Sequence, residues 1–168
     1  MSARMLVQIF EVQTPEEAAA LAGLGVDHIG VLVGDGAFPR ELSIARTSAI
    51  FTAVPAGKKR VALSLSANLE EVIRVVAETR PDIVQVQAEI DFSVAMTRVL
   101  KMRYPQIPIM RAIPVILAGG LGPENVAAAI AAVRPAGVDS KTKTDRPNGG
   151  SKDLAKVEAF VAAATLTR

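Results

Sequence analysis

A glycine-rich stretch followed by a helix start carries the clearest chemical signal in this sequence. Gly119 and Gly120 end an apolar run, and the four residues from Gly122 to Asn125 open a helix-like segment. The first N–H groups of a helix have no partner within it and carry partial positive charge, so they attract anions. Glycine lets the backbone approach phosphate oxygens closely. The pattern predicts a phosphate site at Gly119, Gly120 and Asn125; the alternative is a strand-to-helix turn without a ligand.

Composition argues against several other kinds of site. The chain has no cysteine, which excludes disulfides, Cys-ligated metals and thiol catalysis. Its single histidine, His28, starts a predicted strand, and we expect it to be structural. The sequence contains no cluster of metal ligands, and no G-x-G-x-x-G follows the first predicted strand. We therefore expect neither a metal nor a cofactor.

Charge and hydropathy limit the partners and the location. The net charge is only +2 and the basic residues are scattered, which gives no indication of nucleic-acid binding. No uncharged run approaches the roughly 18 residues that a membrane span needs. The N-terminal segment has no apolar core long enough for a signal peptide. We expect a cytoplasmic protein with no nucleic-acid partner and no membrane partner.

Strand-like and helix-like segments alternate along the chain, which predicts an α/β fold with a parallel sheet. Half of the residues are hydrophobic and only 4% are aromatic, as is typical of buried parallel strands covered by alanine-rich helices. The pattern predicts six or seven strands, and it fits an open doubly wound sheet or a barrel equally well. The predicted strands are 6–12, 28–33, 59–65, 83–89, 107–115, 115–120 and 137–141. The predicted helices are 16–24, 42–53, 69–79, 92–102, 126–133 and 152–164.

The segment 107–125 breaks the alternation. Two strand-like runs, IPIMRAIPV and VILAGG, follow each other directly. Neighbouring parallel strands need a crossover of about a dozen residues, and none is present. Either one of the runs 107–115 and 115–120 is not a strand of the sheet, or the chain is an α/β barrel that lacks an internal piece.

The second half of the chain contains three specific segments: ILAGGLGPENVAAAI, VRPAGVDS and, after a glycine-containing loop, KDLAKVEAFV. Together they resemble the C-terminal quarter of the phosphoribosylanthranilate isomerase family. More loosely, LVQIFEVQTPEEAAALAGLGVDHIGVLV resembles the family's opening strand, helix and strand. The resemblance implies a (βα)8 barrel and the Amadori isomerisation of phosphoribosylanthranilate in tryptophan biosynthesis.

The resemblance also implies an internal shortening. In the family, a helix, the sixth strand and another helix separate the two strands that are fused here at the 115/116 junction. A complete barrel of this kind needs about 200 residues or more, and this chain has 168. We therefore predict a single TIM-barrel-like domain over residues 1–168, shortened or incomplete, with a βα segment missing at that junction.

The family's catalytic pair is the point at which this chain departs from the pattern. Phe10 stands where the family has its cysteine general base, and the strand that carries the aspartate general acid is the one predicted to be missing. Four carboxylates follow predicted strands, where barrel active sites form, and are candidate replacements. They are Glu11, Asp35, Glu89 and Asp139. The alternative for each is a solvated or helix-capping residue.

The resemblance implies further ligand contacts. Arg40 follows the Phe-Pro turn that matches a Ser-Pro-Arg turn of the family, whose arginine pairs with a substrate carboxylate. Arg111, within an apolar run, is a second candidate for substrate binding. The loop after the last strand completes the family's phosphate cup, which implies roles for Ser140, Lys141 and Lys143; the two lysines are equally well interpreted as solvated surface residues.

Three functions remain open at this stage. The chain is a phosphosugar isomerase that works through replaced residues, a binding protein that keeps the phosphate site without the chemistry, or a structural remnant of the barrel that associates with itself. A small phosphorylated molecule is the expected ligand. Because a barrel that lacks a strand exposes pairing edges, we also expect a homo-oligomer. The sequence identifies neither the substrate nor the oligomeric state.

Overall fold

A computed structural model of the chain describes residues 5–86, 94–111, 116–133, 135 and 137–166. Strands and helices alternate along it, as predicted. In chain order the elements are β1 (Leu6–Ile9), α1 (Pro15–Gly23), β2 (His28–Leu32), α2 (Ile44–Ala53), β3 (Lys59–Ser64), α3 (Leu69–Thr79), β4 (Ile83–Val86), α4 (Val94–Arg103), β5 (Ile109–Arg111), β6 (Ile116–Leu117), α5 (Val126–Val133), β7 (Gly137–Ser140), a short 3-10 helix (Thr142–Thr144) and α6 (Leu154–Thr165).

The seven strands form one parallel sheet in the order β5-β4-β3-β2-β1-β7-β6. Strands β1 to β5 lie side by side in one direction, and the chain then returns at the far edge with β6 and proceeds to β7 beside β1. This is the order of a barrel rather than of a doubly wound sheet, in which later strands proceed outward from β1. Both runs of the fused segment contribute a strand, one at each end of this order.

The link between β5 and β6 shows that the sheet is strongly curved. Only four residues separate Arg111 from Ile116, so their Cα atoms lie at most about 18 Å apart. In a flat sheet, six strand spacings would separate the two strands by about 29 Å. The sheet must therefore curl until its two edges approach each other, which gives the TIM-barrel-like architecture that the sequence predicted.

Local capping signals set the starts of α1 and α3, whereas α2 and α6 begin two residues later than predicted. The Thr14 hydroxyl accepts a hydrogen bond from the Glu17 backbone N–H, and Glu17 Oε2 in turn accepts from the Gln13 N–H at 2.7 Å. Asn68 caps α3 by accepting from the Glu70 N–H at 3.0 Å. Each contact satisfies an N–H group that has no partner within its helix. Strands β1, β2, β3, β6 and β7, in contrast, end earlier than predicted, and the predicted strand ends at 87–89 and 112–115 lie outside the described residues.

The sheet packs on both of its faces. Alternate residues of the central strands, such as Val7, Ile9 and Val31, lie in a large cluster with helix residues that include Leu21 and Phe160. The opposite face carries a smaller apolar cluster. It consists of Phe10, Val61 and Ile83, with Leu63 and Met110 packed against them. Since this face lies inside the curved sheet, the interior of the barrel is filled by side chains rather than open.

Phe10 dominates this interior and requires a glycine opposite it. Its side chain is buried, and a Cβ atom at Gly30 would lie only 2.4 Å from Cδ1 of the Phe10 ring. No real Cβ contact is that short, and the ring is packed against Val61 and Ile83, so it cannot simply move away. Gly30 is therefore a packing requirement of Phe10.

We expect Gly30→Ala to lower the free energy of unfolding by about 1–3 kcal/mol, because it overpacks the interior. In a Phe10→Ala background the same change should cost little, since the ring that it strikes is gone. Urea denaturation of the two single variants and the double variant measures this coupling. Gly23→Ala is the matched control, because nothing lies within 4 Å of its Cβ position and alanine favours a helix. Equal costs of Gly30→Ala in both backgrounds would contradict the assignment.

Candidate functional site

The loops that follow β6 and β7 lie side by side at the carboxyl edge of the sheet. The two strands pair through Ile116 with Gly137 and Leu117 with Val138. Beyond them, the buried hydroxyl of Ser140 donates a hydrogen bond to the Leu121 carbonyl at 2.7 Å. Parallel strands end at the same edge, so the predicted phosphate residues of both loops are brought together. Ser140 acts here as the link between the loops.

The glycine loop after β6 has the openness that an anion site needs. Gly119 and Gly120 are exposed, have φ angles of +100° and +65°, and have no atom within 4 Å of their Cβ positions. Asn125 fixes the loop from both ends, because its Oδ1 accepts from the Gly122 N–H at 2.8 Å and its Nδ2 donates to the Gly120 carbonyl at 3.0 Å. Asn125 thus shapes the loop just before α5 begins at Val126.

Lys143 lies close to the same loop. Its Nζ is 3.4 Å from Oε1 of Glu124, and both side chains are exposed. The pKa of the Glu124 carboxyl is lowered mainly by a hydrogen bond from the Glu124 backbone N–H, and to a smaller extent by Lys143. An exposed pair of this kind is weak, so Lys143 can exchange Glu124 for another anion at little cost.

A second cluster of charges lies where β1 ends. Glu11 and Arg40 both have left-handed backbones, with φ angles of +59° and +66°, a rare conformation for residues other than glycine. Arg40 Nη1 lies 2.6 Å from Oδ2 of Asp145 and 3.2 Å from Oε2 of Glu11, and its Nη2 donates to the Glu11 carbonyl at 3.1 Å. The Gln13 side chain donates to the backbone carbonyls of both Glu11 and Arg40. We call Glu11, Arg40, Asp145, Lys141 and Lys152 the mouth cluster.

Lys152 anchors the mouth cluster from below. Its side chain is fully buried, and its Nζ donates to Asp145 Oδ1 at 2.7 Å and to the Lys141 carbonyl at 2.9 Å. Its backbone N–H donates to Glu17 Oε1, which ties this loop to the start of α1. Burial lowers the pKa of the Lys152 ammonium, although Asp145 offsets part of this effect. Burial alone would raise the pKa of Asp145, but hydrogen bonds from Lys152 and Arg40 hold it below its ordinary value.

Asp139 is a titratable group near these charges. It lies on β7 in register with Gln8 of β1, and its Oδ1 is out of contact with solvent and without a hydrogen-bond partner among the described residues. Burial raises the pKa of Asp139 to about 7, against the opposing charges of Lys152 and Lys141. A carboxyl that titrates near neutral pH can both give and accept a proton, which is the property required of a general acid or base.

The remaining predicted residues lie elsewhere or outside the described part of the chain. Asp35 is highly exposed and pairs with Arg74 of α3 at 3.1 Å, so its described contacts do not join it to the mouth cluster. Glu89 falls outside the described residues. Arg111 belongs to β5, where its backbone pairs with Val86, and its side chain is not described. Among the candidate carboxylates that the structure describes, Glu11 and Asp139 lie with Arg40 and Lys141 at the carboxyl edge.

Three residues of the site were missed by sequence reasoning. Asp145, Lys152 and Glu17 hold the loop after β7 against β1 and α1. Asp145 and Lys152 sit in a polar segment whose composition is typical of solvated loops. The capping function of Glu17 had a local signal in the sequence. Its contact with Lys152 had none, because the two residues lie 135 positions apart in the chain.

The described ranges show neither a metal site nor a membrane-spanning helix. No group of three or more His, Cys, Asp or Glu side chains there has the arrangement of a metal site. None of the helices described is both long and apolar enough to cross a membrane.

Comparison with known proteins shows which protein family the chain resembles. Residues 102–163 match the model of N-(5'-phosphoribosyl)anthranilate isomerase. The enzyme of that name from Desulforudis audaxviator is 62% identical over 48 residues, which are 29% of this chain and 22% of that protein. The Neisseria meningitidis serogroup B enzyme is 27% identical over 203 aligned positions, which cover 96% of this chain and 97% of that protein.

The chain belongs to the phosphoribosylanthranilate isomerase family. This is a family of isomerases of tryptophan biosynthesis with a TIM-barrel fold. About 161 residues of this chain, 96% of its length, align with the Neisseria protein. The alignment itself is 203 positions long. About 40 positions of that alignment therefore hold no residue of this chain.

Solved structures of the family share the fold. TrpF from Jonesia denitrificans superimposes with a TM-score of 0.85 at 22% identity, covering 97% of this chain and 98% of that one. A phosphoribosyl anthranilate isomerase in complex with reduced 1-(o-carboxyphenylamino)-1-deoxyribulose 5-phosphate gives 0.81 at 21% identity, covering 95% and 98%. Monomers generated from the dimeric Thermotoga maritima enzyme give 0.80 at 22% identity, with the same coverage.

The titration of Asp139 makes a prediction about stability. Because its pKa of about 7 exceeds that of an exposed aspartate, the folded chain binds a proton that the unfolded chain releases. This contribution to stability is present at low pH and is lost as the pH rises from about 4 to about 7. Asp139→Asn has no titrating group at this position. As the pH rises through this window, its free energy of unfolding should therefore increase relative to that of the parent by up to about 1.4 kcal/mol per pH unit. Denaturant unfolding between pH 4 and pH 8 measures this, and a constant difference would contradict it.

Proposed function

We propose that this chain binds a phosphorylated sugar-type ligand at the carboxyl edge of the sheet. The phosphate would lie on the glycine loop after β6, beside the loop after β7. The observation that carries the proposal is the direct link between the two loops through Ser140 and Leu121, next to two exposed glycines with open space around them. Gly119, Gly120 and the start of α5 supply backbone donors, and Lys143 supplies a positive charge within reach.

Two further observations support a ligand of this class. The family acts on a phosphoribosyl compound, and one solved relative holds reduced 1-(o-carboxyphenylamino)-1-deoxyribulose 5-phosphate. Ser140 and Asn125, which the sequence suggested as direct phosphate ligands, use their side chains on the loops themselves. We therefore assign them the role of holding the loops and assign the phosphate contacts to the glycine backbone and Lys143.

We further propose that the family's isomerisation is lost or strongly reduced. The residue that matches the family's cysteine base is Phe10, which is buried among apolar side chains and cannot transfer a proton. The roughly 40 alignment positions without a residue of this chain are consistent with the loss of one βα unit or more. In this proposal the shortened single domain keeps the binding loops of the barrel and lacks its acid–base pair.

One observation favours the alternative, an isomerase that works through replaced residues. Asp139 has a pKa of about 7 and lies on the inward side of β7, near Glu11 and Lys141. A single such group can pass a proton between two positions of one substrate, which is what an isomerisation of this kind requires. Turnover by the parent chain that is lost in Asp139→Asn would establish this alternative.

Binding is tested with a charge placed in the glycine loop. We expect ribose 5-phosphate, but not ribose, to bind the parent chain in isothermal titration calorimetry, and Gly120→Asp to weaken binding at least about tenfold by like-charge repulsion. Gly57→Asp is the matched control, because Gly57 also has a positive φ and open space but lies in the loop between α2 and β3, at the opposite end of the barrel.

The same preparation is assayed for isomerisation of phosphoribosylanthranilate. Binding without turnover above buffer is the result that the proposal predicts. Absence of heat with ribose 5-phosphate, or equal weakening by both aspartate variants, would contradict the phosphate site.

Finally, we propose that the chain associates with itself. In the described part of the sheet, β5 pairs only with β4 and β6 only with β7, so each leaves one edge available for pairing. One solved relative is described as dimeric. Light scattering at micromolar concentration should give a mass of at least two chains, and a mass near 17.6 kDa would refute the proposal.

A further inference from the structure

Glu11 is the least expected residue of the mouth cluster. Its carboxylate lies between two cations that face the carboxyl edge: Oε1 is 2.5 Å from Lys141 Nζ, and Oε2 is 3.2 Å from Arg40 Nη1. Only 5% of the Glu11 side chain is exposed, whereas 56% of the Lys141 side chain is. The position between these two cations, which could otherwise hold an anionic group of a ligand, is therefore occupied by a side chain of the protein itself.

The fit of Glu11 in this position is imperfect. Its Oε2 atom is buried and accepts no hydrogen bond among the described residues, although Arg40 is near. Arg40 Nε is buried and likewise donates none there. The Glu11 backbone also adopts a left-handed φ of +59°, which costs free energy for a residue other than glycine. Stability of the fold alone does not explain a strained residue with an unsatisfied carboxylate oxygen, and strain of this kind is concentrated at functional sites.

We propose that Glu11 determines specificity: its carboxylate occupies the position between Arg40 and Lys141, so the site accepts a phosphorylated ligand without a second anionic group and rejects one that carries a carboxylate at this position. The inference rests on the proposed phosphate site and names the class of ligand that this site takes. Like-charge repulsion by a fixed carboxylate is an effective way to exclude an unwanted ligand.

The ion pairs within the cluster support this selection. Asp145 already accepts from Arg40 and Lys152, and Glu11 pairs with Lys141 and Arg40. Each of the three cations of the cluster thus already has a carboxylate partner, and Asp139 lies nearby as a third carboxyl. A ligand carboxylate would find no cation left unpaired in the cluster and would meet Glu11 directly. A phosphate on the glycine loop is served by Lys143 and the loop backbone instead.

The test uses two ligands that differ only in the carboxyl group. They are reduced 1-(o-carboxyphenylamino)-1-deoxyribulose 5-phosphate and the same compound without its carboxyl group. We expect the parent chain to bind the carboxyl-free compound at least about tenfold more tightly, and Glu11→Gln to reduce or reverse this preference by about tenfold. Glu158→Gln, the same change at an exposed position of α6, should leave the ratio as it is in the parent.

A second variant protects the test against a folding defect. Glu11→Gly removes the carboxylate, and glycine suits the left-handed backbone, so this variant should fold at least as well as the parent and should show the same change of preference. An unchanged ratio in both Glu11 variants, or a parent that binds both compounds equally, overturns the specificity role while leaving the phosphate site in place. Failure of the parent to bind either compound overturns both proposals.

Discussion

Only four residues join β5 to β6, and this short connection shapes the rest of the molecule. An open sheet of seven strands would hold these two strands farther apart than four residues can reach. The curvature that the connection imposes separates an inner face, filled by Phe10 and its neighbours, from an outer face covered by helices. The same curvature directs the carboxyl ends of the strands toward one mouth, where the loops after β1, β6 and β7 meet.

Charge divides this mouth into two regions with different properties. On the side of β1, Lys152 is buried with Asp145, and a buried ion pair of this kind is strongly destabilised when one partner is removed. The segment after β7 is therefore fixed against β1 and α1, and its Lys141 and Lys152 each have a carboxylate partner within the mouth cluster. On the side of β6, the only ion pair among the described residues is the exposed Lys143–Glu124 contact, and the glycine backbone is open. The first region is held by buried ion pairs, whereas the second is exposed and its glycine backbone is accessible.

Sequence reasoning succeeded where the signal was local. Helices α3 and α5 begin and end where they were predicted, because caps such as Asn68 and breakers such as Pro135 act within a few residues. The alternation of elements and the family motifs also predicted the barrel and the meeting of the two loops. Strands β1, β2, β3, β6 and β7 were predicted too long, because a hydrophobic run does not mark the residue at which regular strand pairing ends. The burial of Lys152 had no local signal, because it depends on Asp145 and on Glu17, far away in the chain.

Lys141 shows why residue type alone does not assign a role. The sequence offered it with Lys143 as a phosphate ligand, yet the two side chains point to different carboxylates, Glu11 and Glu124. Lys141 and Lys143, which belong to one short segment, thus pair on opposite sides of the mouth. Phe10 immediately precedes Glu11 in the chain. Its ring lies in the interior of the barrel and requires Gly30 opposite it. The buried ring of Phe10 is thus followed directly in the chain by the charged side chain of Glu11, so the apolar filling of the inner face borders the mouth cluster.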